Sequence, residues 1–226
     1  MPDVTHAREP RLEALDLLLS RRSVGQLQEP APEGADLDLI LDAGLRAPDH
    51  GRLRPWRFVI IRGDARSAYA EKLAEAATVR DPANAATLGE RYRAWVRRTP
   101  MLIAVGAIVK PGNIPEIEQL LAAGAAAMNM LNAMHMLGYG GMWVTGPNVY
   151  DANVNKLLGF EAPSRLVGHL TVGTPAPSTA PVPARPDRAA HVVEWRAEQS
   201  SAPLSVRLRL VYKPLRLRCP GAPKAA

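Results

Sequence analysis

Leu45-Arg46-Ala47-Pro48-Asp49-His50-Gly51-Arg52-Leu53-Arg54-Pro55-Trp56-Arg57-Phe58 is the stretch around which the chain is organised. It leads from an amphipathic helical segment into Phe58-Val59-Ile60-Ile61, a short β-branched run that predicts a buried strand. Between Pro48 and Pro55 it carries Asp49, His50, Arg52 and Arg54, with Arg46 just before. Cations this dense on a loop repel one another unless an anion sits among them. Upstream, Arg21-Arg22-Ser23 follows a helical face formed by Leu12, Leu15, Leu18 and Leu19. Two forked guanidiniums and a hydroxyl suit a phosphate oxygen, although twin arginines equally suit the last turn of a helix. The expectation is that the two clusters together grip an anionic ligand.

Outward from this stretch the chain alternates helices and strands. Asp36 is positioned to cap a helix carrying Leu37, Ile40, Leu41, Gly44 and Leu45, which Pro48 ends. Asp64 can open a helix through Ala76, and Asp81-Pro82 another through about Arg98. Residues 101–108, Met-Leu-Ile-Ala-Val-Gly-Ala-Ile, predict a second buried strand. Pro115-Glu116 begins the longest helix, to about Leu137, with an Ala- and Gly-rich middle followed by Met128, Met130, Met134 and Met136. A helix so long and so poor in charge belongs at the centre of the fold, at a subunit interface, or at both.

Gly138-Tyr139-Gly140-Gly141 reads as a helix C-cap feeding a strand, Met142–Thr145. The order helix, glycines, strand is the reverse of a dinucleotide fingerprint. Asn148 or Asp151 starts a short helix through Leu158, and Leu166–Val172 is a fourth strand. Five prolines between Pro175 and Pro186 predict an extended arm. The expected organisation is a lead-in at 1–10, one domain at 11–198 with the arm at 175–198, and a tail at 199–226.

The chain has 226 residues, 47% of them hydrophobic, enough for a real core. One cysteine, Cys219, excludes an internal disulfide and argues against a Cys-based metal site. No leader or membrane-spanning run is legible, so the expected location is cytoplasmic. The net charge of +6 is equal to the six basic residues of 199–226, a segment without acids, so the body is formally neutral. That distribution argues against nucleic acid as a partner of the body. Within the tail, Val206–Leu210 alternates apolar and basic residues, fitting an edge strand or a basic extension, with a nucleic-acid or membrane contact as the other reading.

No nucleophile elbow, Walker loop or paired-His metal motif is present, and His135 on the Met-rich helix reads as packed. The sequence therefore offers an anion clamp and a polar loop but no acid, base or nucleophile set. This combination fits chemistry carried by a cofactor.

Taken in order, Arg21-Arg22-Ser23, Ala43-Gly44-x-Arg46-Ala47-Pro48-Asp49-His50, Pro55-Trp56-x-Phe58, Gly138–Trp143 and Leu170-x-x-Gly173-Thr174-Pro175 resemble the FMN-dependent nitroreductase family, in particular its short NAD(P)H nitroreductase branch. The likeness spans about residues 11–195. It implies an α+β fold with a central mixed sheet surrounded by helices, in an entwined homodimer holding FMN at the subunit interface. It implies that Arg21, Arg22 and Ser23 contact FMN, that Arg46 and His50 reach the FMN held mainly by the partner chain, and that Met142, Trp143 and Val144 lie along the cofactor. The arm would wrap the partner. The implied reaction is ping-pong hydride transfer from NAD(P)H through FMN N5 to a nitroaromatic, quinone or other electron-poor acceptor, with no catalytic side chain. Val144 departs from the branch, which often has Arg there, and Arg52 or Arg54 is a candidate to compensate. A flavin- or anion-binding protein without turnover is the alternative on the same fold.

Overall fold

The computed structural model describes residues 12–178 and 184–194. The chain divides into two units, Met1–Ser178 and Thr179–Ala226. Of the second, residues 184–194 contain one 3-10 turn, Arg188–Ala190, capped by Asp187 accepting from the Ala189 N–H at 3.0 Å. The lead-in at 1–10 and the basic tail from 199 lie outside the described residues.

The first unit runs α1 (Leu12–Ser20), β1 (Leu27–Gln28), α2 (Gly34–Leu45), β2 (Trp56–Arg62), α3 (Ala65–Arg80), α4 (Ala85–Arg97), β3 (Met101–Ala107), α5 (Glu116–Met136), β4 (Gly140–Val144), α6 (Ala152–Leu157) and β5 (Arg165–Pro175). The path β1-β5-β3-β2 forms the sheet, with β4 also paired to β5. This is the expected α+β arrangement of a sheet flanked by helices. Every pairing among the described strands is antiparallel, however, so the mixed sheet implied by the resemblance is not met there. Connectivity explains this for β2 and β3: α3 and α4 go out and return, so β3 re-enters opposite to β2.

β3 lies between β2 and β5 and all seven of its residues are buried. Its alternation serves two cores. Met101, Ile103, Val105 and Ala107 pack with α2 and α5, whereas Leu102 and Ala104 pack with α3 and residues around α6. A strand covered on both faces needs no polar face, and hence reads as a continuous apolar run. β2 is not the buried strand its sequence predicts. It is the sheet edge, and only Trp56 and Ile61 of it are buried.

α5 has one face in the core, with Ala122, Ala123, Ala126, Ala127, Met130 and Met134 all buried. Its small residues let other groups come close: a Cβ on Gly124 would lie 3.3 Å from the Trp143 ring. The helix closes with Gly138 at φ 85°, where the Gly138 N–H meets His135 O (3.1 Å) and the Tyr139 N–H meets Met134 O (2.8 Å). These are the two bonds of a Schellman cap. Asp81 and Asp151 cap as their sequences predict, accepting from the Asn84 N–H and the Asn153 N–H. Asp36 does not. α2 begins earlier, at Gly34, and the Asp36 carboxylate accepts from the Tyr139 hydroxyl at 2.8 Å, tying α2 to the turn after α5. Among the described residues no helix is long and apolar enough to cross a membrane.

Candidate cofactor site and family

Arg21 and Arg22 leave the end of α1 and line a cavity of about 220 Å³ with Val24, Leu131, His135, Gly138, Tyr139 and Gly141. Among the described residues no acidic side chain lines it. The segment is fixed at two points. The Val24 N–H donates to Gly141 O at 3.0 Å, and Ser20 Oγ lies 2.9 Å from His135 Nε2. Ser23 is exposed beside this cavity rather than lining it. His135, which the sequence reads as packed, is half-exposed and belongs to the cavity wall. Its position one turn before the glycine cap was the available signal.

β4 carries the next three predicted contacts, and its pleat sends them to opposite faces. Trp143 faces α5, its indole so close to Gly168 that a Cβ there would meet Nε1 at 2.0 Å. Met142 and Val144 face the other way, into a cavity of about 340 Å³ shared with Tyr92, Trp95 and His169. A Cβ at Gly25 would lie 3.9 Å from Met142 Cε, so the segment after the twin arginines runs beside β4. Arg21, Arg22, Ser23, Met142, Trp143 and Val144 therefore gather at one end of the sheet.

Arg46 and His50 do not join them. His50 opens a 3-10 turn, His50–Arg52, and its Nδ1 lies 2.7 Å from Glu118 Oε2 in the first turn of α5. His135 sits in the last turn of the same helix. At about 1.5 Å rise per residue, the two attachments are roughly 25 Å apart along the axis. The loop also precedes β2, and β3 and β5 lie between β2 and β4. Within one chain the two basic clusters thus cannot close on one ligand, contrary to the reading of the sequence. Within one chain Arg52 and Arg54, on that same loop, likewise lie on the other side of β3 and β5 from Val144.

The loop itself is built under constraint. Gly51 has φ 70°, and Arg52 and Arg54 have φ 57° and 49°, a region costly for side-chain-bearing residues. A Cβ at Gly51 would meet Ile114 Cδ1 at 2.3 Å. Asp49 Oδ2 accepts from the Arg54 N–H at 2.9 Å and the Arg57 guanidinium donates to Trp56 O at 2.7 Å, so the strained turn is held from both sides. Strain kept in this way concentrates at functional sites.

The nitroreductase family model matches residues 18–174, which include every one of these elements except the start of α1 and the last residue of β5. The chain belongs to the nitroreductase family. Among relatives of this nitroreductase family member, the Escherichia coli K12 protein named "Putative NAD(P)H nitroreductase YdjA" is 36% identical over 165 residues, 73% of this chain and 89% of the relative. A Haemophilus influenzae protein, "Putative NAD(P)H nitroreductase", is 31% identical over 72% of this chain and 89% of its own. Of the solved structures, a nitroreductase-like family protein from Bacillus cereus superposes with a TM-score of 0.71 at 22% identity, over 83% of this chain and 99% of that one. A Desulfovibrio desulfuricans structure described as a "putative nitroreductase in complex with FMN" gives 0.63 at 26% identity, with the same coverages.

Proposed function

We propose that this protein is an FMN-dependent oxidoreductase of nitroreductase type that uses NAD(P)H and acts as a homodimer. The single observation that carries the reading is the acid-free cavity of Arg21 and Arg22 at the end of β4, in a chain whose relatives are named NAD(P)H nitroreductases and whose structural neighbour was solved with FMN. The residues fit the group. Arg21 and Arg22 would take the phosphate, as forked donors do. β4 pairs only with β5 among the described strands, and beyond Gly141 O, which takes the Val24 N–H, its other edge is left to offer backbone donors and acceptors to a heterocycle. Asn132 Oδ1 on α5 is a buried acceptor with no hydrogen-bond partner among the described residues, and a bound ligand or a second chain would supply its donor.

FMN, when bound, would supply two-electron redox chemistry between NAD(P)H and an electron-poor acceptor. The chain's own residues bind and orient it. Trp143, wedged against Gly124 and Gly168, fixes the side of β4 facing α5. The guanidiniums keep the phosphate end anchored, so substrates exchange while the cofactor stays.

The homodimer completes the site. Arg46 and His50 lie at the opposite end of α5 from Arg21 and Arg22, so in a two-fold dimer with antiparallel α5 helices each chain's loop meets its partner's clamp. α1 has no buried residue, and Leu121, on the outer face of α5, is 64% exposed in the single chain. Both surfaces await such a partner. The test is spectroscopic. The purified protein should show flavin absorbance bands and release FMN on denaturation, and NADH or NADPH should bleach the bands in stopped flow. A colourless protein that fails to bind added FMN overturns the proposal. Bound flavin that neither nicotinamide reduces points instead to the non-catalytic binding protein, which the loss of a cation at Val144 motivates.

A further inference from the structure

The second cavity at β4 has a chemistry that binding of a phosphate-bearing cofactor does not use. Of about 340 Å³, it is the size of a one- or two-ring ligand. Tyr92 and Trp95 of α4 form one wall, and Met142 and Val144 of β4 form the other. Its deep end is His169, 2% exposed and bonded through Nε2 to the Tyr69 hydroxyl at 2.6 Å. Burial holds that imidazole neutral, with a pKa lowered to about 4. Among the described residues Arg91 and Arg98 line the cavity, and no acidic side chain does.

The placement of these cations follows from helix geometry. Arg91, Trp95 and Arg98 are spaced four and three apart, so they share one face of α4 and its C-terminal cap. Arg93, on a different face, is paired with Glu71 at 2.8 Å and Glu90 at 2.9 Å. Among the described residues no carboxylate comes within ion-pair distance of Arg91 or Arg98. Two guanidiniums at the border of an apolar slot, with no carboxylate partner among the described residues, offer their forked donors to an oxyanion. The walls are braced: the Arg80 guanidinium donates to the Tyr92 hydroxyl (3.3 Å), to Asn148 Oδ1 (3.0 Å) and to Asp151 Oδ2 (2.5 Å), binding α3, α4 and the segment after β4 together.

We propose that the cavity between α4 and β4 binds electron-poor aromatic acids, the ring between Tyr92 and Trp95 on one side and Met142 and Val144 on the other, the carboxylate or sulfonate on Arg91 and Arg98. The binding claim stands on this cavity alone. That the bound acid is the electron acceptor rests on the flavin reading above, because Met142 and Val144 belong to the strand assigned to the cofactor. Forked guanidinium donors select an oxyanion over its neutral isostere. The selection weakens as salt screens the two exposed charges.

The experiment uses the full chain as purified with its flavin, 4-nitrobenzoate and its neutral isostere 4-nitrobenzamide. Calorimetric titration should give roughly tenfold or tighter binding of the acid, the scale of one charge-assisted hydrogen bond. R91Q/R98Q should collapse that ratio toward one, and R91K/R98K, which keeps charge but loses the fork, should leave an intermediate ratio. The ratio of kcat/KM for the two compounds should move in parallel. Equal binding of acid and amide by the unaltered protein, or an acid preference that survives R91Q/R98Q, overturns the proposal. Acid-selective binding without reduction of either compound supports the site and counts against the oxidoreductase reading. Reduction of both without selectivity does the reverse.

Discussion

Among the described residues His169 is one of the strongly perturbed side chains, and its surroundings explain why. It lies on β5 opposite Val144, with Trp95 edge-on at 5.9 Å between ring centroids and the Tyr69 hydroxyl as its hydrogen-bond partner. The same burial raises the Tyr69 pKa above its ordinary value. Nothing in this cage compensates an imidazolium, so its pKa falls from 6.5 to about 4. The unfolded chain therefore takes up a proton below pH 6.5 that the folded one refuses until about pH 4. Stability is retained above 6.5 and lost as pH drops through that window. A shift of this size corresponds to about 3 kcal/mol when fully expressed. Chemical denaturation between pH 4 and 7.5 should show stability rising with pH. H169Q should lose most of that slope, because its amide does not titrate. An unchanged slope would mean that the acid sensitivity arises elsewhere.

At the scale of elements, α5 decides what each cluster can reach. The His50–Glu118 pair joins two exposed side chains, at 64% and 42%, and such pairs contribute about 1 kcal/mol or less. H50A should therefore leave the denaturation midpoint almost unmoved. If His50 serves the partner's cofactor, the same substitution should lower the flavin-to-protein ratio after gel filtration several-fold. Full occupancy in H50A would assign the loop a purely structural role. The helix was legible in the sequence to within a residue at each end, because Pro115 and the glycine cap punctuate it. β3 was legible because both of its faces are apolar. Three features were not. β1 is two residues whose pairing with Pro175 and Thr174 leaves no periodicity. Asp36 has the composition of a cap, but Tyr139 is a tertiary competitor for its carboxylate. Arg91 and Arg98 look like any solvated helix face until β4 is placed beneath them. The separation of the two basic clusters was likewise invisible, since proximity in sequence says nothing about which end of α5 each one meets.

For the whole molecule, the question is whether one chain suffices to hold the cofactor. Leu12, Leu15, Leu17, Leu18 and Leu19 on α1 and Ile117 and Leu121 on α5 are all exposed in the single chain. An apolar surface of this extent is a liability unless it is covered. A two-fold interface brings each such residue in twice, so one substitution acts at two places. In the proposed homodimer, replacing Leu121 with Glu would remove the burial of a leucine on each side, roughly 3 kcal/mol or more per dimer, and place two carboxylates in its stead. That is on the order of a hundredfold or greater in the dimer dissociation constant. Because Leu121 is solvent-facing within its own chain, the far-ultraviolet spectrum and the fold of the monomer should persist. L121E should then elute as a monomer by light scattering and lose flavin in the same preparation, since in the proposed dimer it is Arg46 and His50 of one chain that stand over Arg21 and Arg22 of the other. Raising the protein concentration should restore dimer and flavin together. A monomeric L121E that keeps its flavin at the affinity of the unaltered protein would show instead that the cavity of Arg21, Arg22 and His135, with the edge of β4, is sufficient by itself. The loop at residues 46–54 would then keep its strained turn for some purpose other than the partner's cofactor.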